Sequence, residues 1–410
     1  MTNWKETTLG EVVDIIIDHR GMTPKKMGGD WASVGYRAVS AKSIKTGQLV
    51  NEDQMNLLPE NLYRKWMKEE VEYGDILLTS EAPLGEHIIW KSEEKLVLSQ
   101  RIFGIRTEKE VFDPFFFNYF IDSKYYQHQL KSRESGSTVT GIKQSELLKT
   151  KILLPPLSEQ KEIAGVLSSL DDKIELLREE NKTLEATAQA IFKEWFVNFN
   201  FPNIEGKSYK SSGGKMIDSE IGEIPEGWRA GKLGEEVKIV MGQSPSGESY
   251  NENENGEVFF QGRTDFSDRF PQVRLYTTEP KRMAERFDVL VSVRAPVGDI
   301  NVASERCCIG RGLAAVRSDY KSYALYKIKS LKDAFNKFEA EGTVFGSINK
   351  DSFLNIEALI PATEVVKSFD GFANSLDEKI FNNYSQIQNL STLRDTLLPK
   401  LMNGELKIRN

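Results

Sequence analysis

Basic side chains concentrate in one short stretch near the beginning of the sequence. Between positions 20 and 45, six basic residues stand against one acid, Asp30, with Trp31 and Tyr36 among them. The six are Arg20, Lys25, Lys26, Arg37, Lys42 and Lys45. Lysine and arginine neutralise phosphates and donate hydrogen bonds to base edges. The stretch is therefore a candidate DNA contact, and the alternative is a basic loop that is only solvated.

Two later segments are also basic. Residues 260–286 hold six basic and four acidic residues, and the candidates for DNA contact there are Arg263, Arg269 and Arg274. Residues 317–337 hold six basic and two acidic residues in a stretch with a helical pattern. A solvated helix face explains the last segment better than a binding site does.

Catalytic motifs are missing from the sequence. Asp113-Pro114-Phe115-Phe116 is similar to the catalytic tetrapeptide of amino-methyltransferases, but no glycine-rich cofactor loop precedes it. Asp followed by Pro is typical of a helix start, which is the structure we predict there. No phosphate-binding loop of the form GxxxxGK[ST] occurs, and the two cysteines and three histidines lack metal-ligand spacing. We therefore expect no catalysis and no bound cofactor or metal.

A heptad pattern predicts a long helix after Pro155-Pro156. Ten positions follow one another in alternating steps of four and three residues, and only Asn181 among them is polar. They are Ile163, Leu167, Leu170, Ile174, Leu177, Asn181, Leu184, Ala188, Ile191 and Trp195. Such a period over this length is typical of a coiled coil, while the alternative is a long surface helix on one core.

The same pattern returns 206 residues later. Eight of its ten positions are apolar, and the polar ones are Asn383 and Arg394. The positions are Phe369, Ala373, Leu376, Ile380, Asn383, Ile387, Leu390, Arg394, Leu397 and Leu401. An internal repeat of this kind indicates two similar units, each a globular region followed by a long helix.

The globular regions repeat as well. Framework segments match at offsets that drift from 224 to 206, and at the offset of 221 Arg263 falls on Lys42. The predicted domains are a first globular region (1–155), a central helix (156–200), a linker (201–225), a second globular region (226–362) and a C-terminal helix (363–402). Matching frameworks with different loops suggest one scaffold that carries two recognition surfaces.

The two seam asparagines predict the register of the helices. An antiparallel pair with full overlap brings Asn181 opposite Asn383, Ile163 opposite Leu401 and Trp195 opposite Phe369. A paired buried asparagine fixes register at a modest loss of stability. We expect the asparagines to pin the spacer, and the alternative is that each points into water.

Bulk properties exclude several protein classes. The net charge is −7, and residues 157–199 and 363–402 together carry −5 of it, so the rest of the chain is almost neutral. No run of about 18 apolar residues exists, and the first residues lack the pattern of a signal peptide. With two adjacent cysteines, a cytoplasmic location without membrane contact is expected.

Together these motifs resemble the specificity subunit of type I restriction-modification enzymes along nearly the whole chain. The most specific segments are LPPLSEQKEIAGVLSSLDDKIELL with IFKEWF, the weaker copy SLDEKI with LLPKLMNGEL, and FQGRTDF at 260–266. Arg394 and Pro399 depart from the family pattern. The end of the second helix is therefore expected to be short or irregular.

The resemblance implies an α+β fold in which two similar α/β target-recognition domains are separated by a two-helix antiparallel coiled-coil spacer. It implies that each domain reads one half of a bipartite site in double-stranded DNA and that the subunit has no catalysis of its own. The expected partners are modification subunits, two in number, which methylate adenine with S-adenosylmethionine. Restriction subunits, which use ATP and Mg²⁺, are the other expected partners.

Two further functions are alternatives to this hypothesis. One is a coiled-coil scaffold with two protein-binding adaptor domains that does not bind DNA. The other is a self-sufficient methyltransferase, which the missing cofactor motifs argue against. A steep dependence of duplex binding on salt would separate DNA recognition from the adaptor function.

Overall fold

The computed structural model describes residues 4–136, 140–341 and 346–408. The chain divides into two compact units, residues 1–176 with 386–410, and residues 177–385. Both boundaries fall inside long helices, so each unit contains part of both helices. In the part of the chain that is described, no helix is long and apolar enough to span a bilayer.

The first unit combines eleven short strands with four short helices among its described residues. The strands are β1 (Lys5–Thr8), β2 (Val13–Asp18), β3 (Tyr36–Val39), β4 (Ile44–Lys45), β5 (Gln48–Leu49), β6 (Leu57–Leu58), β7 (Ile76–Thr79), β8 (His87–Ile89), β9 (Val97–Leu98), β10 (Ile102–Thr107) and β11 (Lys151–Leu154). The helices are α1 (Glu60–Trp66), α2 (Pro114–Ile121), α3 (Lys124–Lys131) and α4 (Gln144–Leu147). The long helix α5 (Leu157–Phe196) follows directly.

The second unit has the same kind of composition. Its strands are β12 (Met216–Ser219), β13 (Gly222–Pro225), β14 (Arg229–Lys232), β15 (Lys238–Met241), β16 (Tyr250–Asn251), β17 (Glu257–Phe260), β18 (Tyr276–Thr277), β19 (Met283–Ala284), β20 (Val289–Ser292), β21 (Ile300–Val302), β22 (Cys307–Ile309), β23 (Leu313–Arg317) and β24 (Glu357–Ile360). Its short helices are α6 (Lys321–Ser330), α7 (Lys332–Glu341) and α8 (Lys350–Leu354). The second long helix is α9 (Thr363–Met402).

The predicted start of a helix at Asp113 is confirmed. The side chain of Asp113 accepts a hydrogen bond from the backbone N–H of Phe116, and Pro114 is the first residue of α2. An N-cap bond of this kind satisfies an amide that has no partner inside the helix. Asp113 therefore caps a helix, which is the role that the sequence favoured over catalysis.

Both units contain the same four-stranded antiparallel sheet. Its order is β2-β10-β7-β8 in the first unit and β15-β23-β20-β21 in the second. All six residues of the central strand β10 are buried, because sheet neighbours flank it and side chains cover both faces. Its apolar residues Phe103 and Ile105 belong to the main core of the first unit.

The strand register confirms the internal repeat. Lys5 pairs with Leu154 in the first unit, and Arg229 pairs with Ile360 in the second, so these partners are displaced by 224 and 206 positions. In a second, smaller sheet, Val39 pairs with Leu98 and Phe260 pairs with Ile309, with displacements of 221 and 211. These values match offsets found in the sequence, so the repeated segments occupy equivalent places.

The seam positions of both long helices face inward. None of the twenty is exposed, although several are only half-buried. In the first unit Ile163, Leu167 and Leu401 belong to one apolar cluster, with Leu397 packed against it. In the second unit the rings of Trp195 and Phe369 lie 5.8 Å apart. Early residues of one helix therefore meet late residues of the other, which is the predicted antiparallel pairing.

The expectation of an irregular end for α9 is wrong. The helix continues through Pro399 to Met402. Leu401 and Met402 are buried in the core of the first unit, so tertiary packing holds the last turn despite the missing proline N–H. Arg394 is also accommodated, because its Nη1 donates to Asp171 Oδ1 at 2.8 Å.

Part of the predicted linker is folded. Residues 216–225 form the hairpin β12–β13, with Ile217 paired to Ile224. Phe201 and Ile224 are buried in the core of the second unit, and the ring of Phe201 stacks on Trp228 at 5.0 Å. A segment that looks polar in sequence thus contributes apolar anchors to the core.

The two seam asparagines are in contact. Asn383 is fully buried, and its Nδ2 donates to Asn181 Oδ1 and to Glu180 Oε2, each at 2.9 Å. A buried amide that loses its acceptors, or an acceptor that loses its donor, is destabilised by about 1–3 kcal/mol. The geometry suits the role of a register pin that we predicted for this pair.

Replacing Asn383 by alanine should lower the free energy of unfolding by about 1–3 kcal/mol, since Asn181 then loses its donor. Urea denaturation measures this loss, and Asn382→Ala, an exposed position on the same helix, is the matched control. A double-mutant cycle with Asn181→Ala should give a coupling energy of about 0.5–1.5 kcal/mol. A coupling energy of zero would show that the contact does not contribute to register.

Candidate nucleic-acid interface

The candidate interface is built at one edge of a small sheet in each unit. In the first unit β3 and β9 run parallel, with Val39 opposite Leu98. The carboxyl ends of parallel strands meet at the same edge, so the loops that follow them lie together. The 3-10 turn Ala41–Ser43 follows β3 and presents the exposed Lys42.

A cleft with both polar and apolar walls opens at this edge of the first unit. Its volume is about 520 Å³, and Lys42, Asn51, Gln54, Gln100 and Arg101 contribute polar side chains to its lining. Trp31, Met22 and Met55 line it as well. Cations, amides and an aromatic ring in one cleft are the groups that contact phosphates and bases.

The two arginines among the remaining candidates of residues 20–45 are held in ion pairs. Arg20 is bound to Asp18 by Nε and Nη2, both at 2.8 Å, and lies 4.0 Å over the ring of Phe103. Arg37 forms two bonds to Glu94, at 2.8 and 2.6 Å, and a third contact to Glu52. Both guanidinium groups are thus neutralised within the unit, which weakens the case for direct phosphate contact.

The lysines of the stretch are more accessible. Lys25, Lys26 and Lys45 are exposed. Lys25 and Lys26 follow Pro24, which lines the cleft, and Lys26 Nζ donates to Gly21 O at 2.6 Å. Lys45 lies in β4, outside the residues that line the cleft. Lys42 is therefore the candidate lysine that the structure places directly in the cleft.

The second unit repeats this arrangement. The strands β17 and β22 run parallel, and the 3-10 turn Arg263–Asp265 follows β17. Arg263 is more than half exposed, and its Nε is held by Asp299. Lys42 and Arg263, which the sequence aligned, thus occupy equivalent turns. Arg274 is half exposed and is bound to Asp265 of the same turn.

The assignment of Arg269 to the DNA-contacting set needs correction. Its side chain is 8% exposed, with Nη2 2.6 Å from Asp377 Oδ1 and Nη1 3.2 Å from Glu185 Oε2. Although burial acts in the opposite direction, Asp377 raises the pKa of Arg269 above its ordinary value. Arg269 binds the long helices, so we remove it from the candidate DNA contacts.

The interpretation of residues 317–337 as a solvated helix face is wrong for two lysines in the second half of α6. Lys327 is 6% exposed and donates to Leu359 O at 2.6 Å. Burial lowers the pKa of Lys327, and the nearby Glu236 opposes that shift. Lys329 is paired with Glu185. Lys327 thus binds α6 to β24, and Lys329 binds α6 to α5.

Gln100, Arg101 and Arg311 were not among the candidates predicted from the sequence. Gln100 and Arg101 follow β9, and Arg311 follows β22, so all three lie at the edge where Lys42 or Arg263 is found. The pairing of the repeated strands at an offset of 211 was the signal that could have found them. No metal-binding cluster of histidine, cysteine or carboxylate side chains occurs among the described residues.

Comparison with known proteins gives consistent results. The family model of the type I restriction modification DNA specificity domain matches residues 1–186. The MjaIX type I restriction enzyme specificity subunit of Methanocaldococcus jannaschii is 28% identical, over 94% of this chain and 86% of its own. The HindI specificity subunit of Haemophilus influenzae is 23% identical, over 99% of this chain and 100% of its own.

A solved structure supports the same fold. The S subunit of a type I restriction-modification system from M. genitalium superposes with a TM-score of 0.61 and covers 97% of this chain and 96% of its own. Its sequence identity is 15%, so this likeness concerns the fold alone.

Proposed function

We propose that this chain is a type I restriction-modification specificity subunit and that it recognises a bipartite site in double-stranded DNA with one domain for each half-site; the matching family model, the similar relatives and the shared fold support this proposal. The observation that carries the proposal is the equivalence of Lys42 and Arg263. Both follow the first strand of the parallel pair in their unit, and both are exposed.

Charge distribution supports this assignment. The long helices hold most of the net negative charge of the chain, so they are poor candidates for phosphate contact. The cleft edge of the first unit instead presents Lys42 and Arg101. Lys25 and Lys26 follow Pro24, which lines the same cleft. Phosphate contacts at such loops position the duplex, and a few side chains at base edges provide specificity.

Lys42→Ala and Arg263→Ala should each weaken duplex binding by about 1–3 kcal/mol if the contact is to a base edge, and each should relax one half-site only. The measurement is methylation of a library of sites by the complex assembled with its modification subunits. Lys151→Ala on β11 and Arg229→Ala on β14 are matched controls, since each removes one exposed cation outside the parallel edge.

Unchanged binding and site choice in both variants would contradict the assignment of these two residues. The adaptor hypothesis makes a different prediction for the unaltered complex, because a chain that does not bind DNA gives no steep dependence of duplex binding on salt concentration. The slope of binding against salt therefore separates the two functions.

We further propose that the chemistry of the complex resides on other subunits. Modification subunits, one for each repeat unit and hence two, would carry S-adenosylmethionine, and restriction subunits would carry ATP and Mg²⁺. The two cysteines are free and buried, which fits the reducing cytoplasm in which we expect the complex to act.

The purified chain alone is expected to show no methyltransferase, nuclease or ATPase activity. Assays of each activity on the isolated chain, and again after addition of modification subunits, provide the measurement. Methyl transfer should appear only in the second case. Turnover of S-adenosylmethionine by the isolated chain would overturn the division of labour.

A further inference from the structure

Each unit contains one parallel strand pair among its described strands, and cations follow both members of each pair. In the first unit Lys42 follows β3, and Gln100 and Arg101 follow β9. In the second unit Arg263 follows β17, and Arg311 follows β22. The second member of the pair thus supplies an arginine to the edge at which the first member supplies Lys42 or Arg263.

We infer that Arg101 and Arg311 are specificity-determining residues that each contact a guanine, Arg101 in one half-site and Arg311 in the other. This inference rests on the proposed function, because it assumes that the two units read two half-sites. It goes beyond that function by naming a further base-reading residue in each unit, besides Lys42 and Arg263, and the base that this residue selects.

The geometry of Arg101 suits a base contact. Its backbone has φ +67°, a left-handed conformation that a non-glycine residue rarely adopts and that clusters at functional sites. Glu81 Oε1 lies 2.9 Å from Arg101 Nε. No partner of its terminal nitrogens is recorded among residues 4–136, 140–341 and 346–408. Glu81 therefore orients the guanidinium and leaves its two outer donors available.

The loop that carries Arg311 is held in place by residues 242–244, which follow β15. The backbone N–H of Arg311 donates to Ser244 Oγ at 3.2 Å, and the N–H of Gln243 donates to Ile309 O at 2.9 Å. A Cβ at Gly242 would overlap the carbonyl oxygen of Gly310, so only glycine allows this approach. The Arg311 side chain is exposed on a loop with a fixed base.

The chemistry of arginine selects guanine. Two parallel N–H donors of a guanidinium match the O6 and N7 acceptors of guanine in the major groove, and this is the commonest specific contact between proteins and DNA. Lysine provides a point charge and cannot reproduce the planar pair of donors. An arginine whose terminal nitrogens are free is therefore suited to reading this base.

The difference between the units argues for base reading over phosphate contact. At the offset of 211 Gln100 corresponds to Arg311, and Arg101 corresponds to Gly312. The arginine thus lies one position earlier in the loop of the second unit than in the equivalent loop of the first unit. Phosphate contacts are the same for every sequence, whereas two domains that read different half-sites need different side chains at equivalent places.

The test compares Arg101→Lys, Arg101→Ala, Arg311→Lys and Arg311→Ala in the chain assembled with its modification subunits. Each complex methylates a DNA library with randomised half-sites, and sequencing reports the base preference at every position. We expect each variant to lose at least tenfold of the preference for guanine at one position of one half-site. The other half-site should stay unchanged, which shows that the variant complex is folded and assembled.

Two results would overturn the inference while leaving the proposed function intact. One is an unchanged preference at every position, and the other is a uniform loss across all sequences with a reduced salt slope, which identifies a phosphate contact. The lysine variants keep the charge, so they separate these cases even where alanine disturbs folding. A wild-type complex without any bipartite preference would instead overturn the proposed function.

Discussion

Arg269→Ala is expected to lower the free energy of unfolding by about 3–5 kcal/mol, because loss of one partner of a buried ion pair leaves the other charge buried without compensation. The side chains of Arg269 and Asp377 are only 8% and 11% exposed. Asp377 also accepts a hydrogen bond from Tyr326 at 2.8 Å. Without Arg269, the carboxylates of Asp377 and Glu185 face the same partly buried space, where Lys329 stays paired with Glu185.

The loss is measured by urea denaturation of the full chain. Arg306→Ala is the matched control in the same unit, because Arg306 is half exposed and pairs with an accessible Glu257. Exposed ion pairs contribute about 0–1 kcal/mol, so the control should stay close to the parent. If the Arg269→Ala variant is as stable as the control, the prediction is wrong, because water then replaces the guanidinium with little change in the free energy of unfolding.

The same cluster predicts a dependence on pH. Burial raises the pKa of Glu185, but Lys329 and Arg269 outweigh that effect and lower it. A carboxyl group with a lowered pKa in the folded state stabilises the fold above its unfolded pKa, and this stability is lost as the pH falls through the folded pKa. The difference in free energy of unfolding between the parent protein and the Arg269→Ala variant should therefore become smaller as the pH is lowered.

Arg106→Ala is expected to be nearly as damaging, with a loss of about 3–5 kcal/mol in the first unit. Asp75 is fully buried and accepts from Arg106 Nε at 3.0 Å and from Nη2 at 2.8 Å. The repeat supplies a matched comparison, because Asp288 and Arg317 form the same pair in the second unit, at 2.7 Å. Arg317 is 36% exposed, however, whereas Arg106 is 9% exposed.

Arg317→Ala should therefore lower the free energy of unfolding by less than Arg106→Ala does, by about 1–3 kcal/mol. Once the guanidinium is gone, water can reach Asp288 from the exposed side. Hydrogen exchange followed on peptides of each unit measures the two local stabilities separately. Equal losses in both variants would contradict the argument that burial of the arginine decides the difference.

The repeat, the two long helices and the contact between Asn181 and Asn383 could all be predicted from the sequence. These features follow from periodicity, because a heptad seam of fixed length defines which residues of an antiparallel partner it can face. The equivalence of Lys42 and Arg263 was also readable, since both copies of one scaffold are present in the chain and the local offset of 221 aligns them. The family resemblance led to the function that we propose.

Which basic side chains are exposed, and which are buried in ion pairs, became clear from the three-dimensional fold. Arg269 and Lys327 look like surface residues in sequence, but partners far along the chain bury them: Asp377 for Arg269 and Leu359 for Lys327. The continuation of α9 through Pro399 and the folded hairpin at 216–225 likewise depend on distant packing. Local patterns encode the face of a helix or strand, whereas the exposure of a single charged side chain depends on contacts between residues that are far apart in sequence.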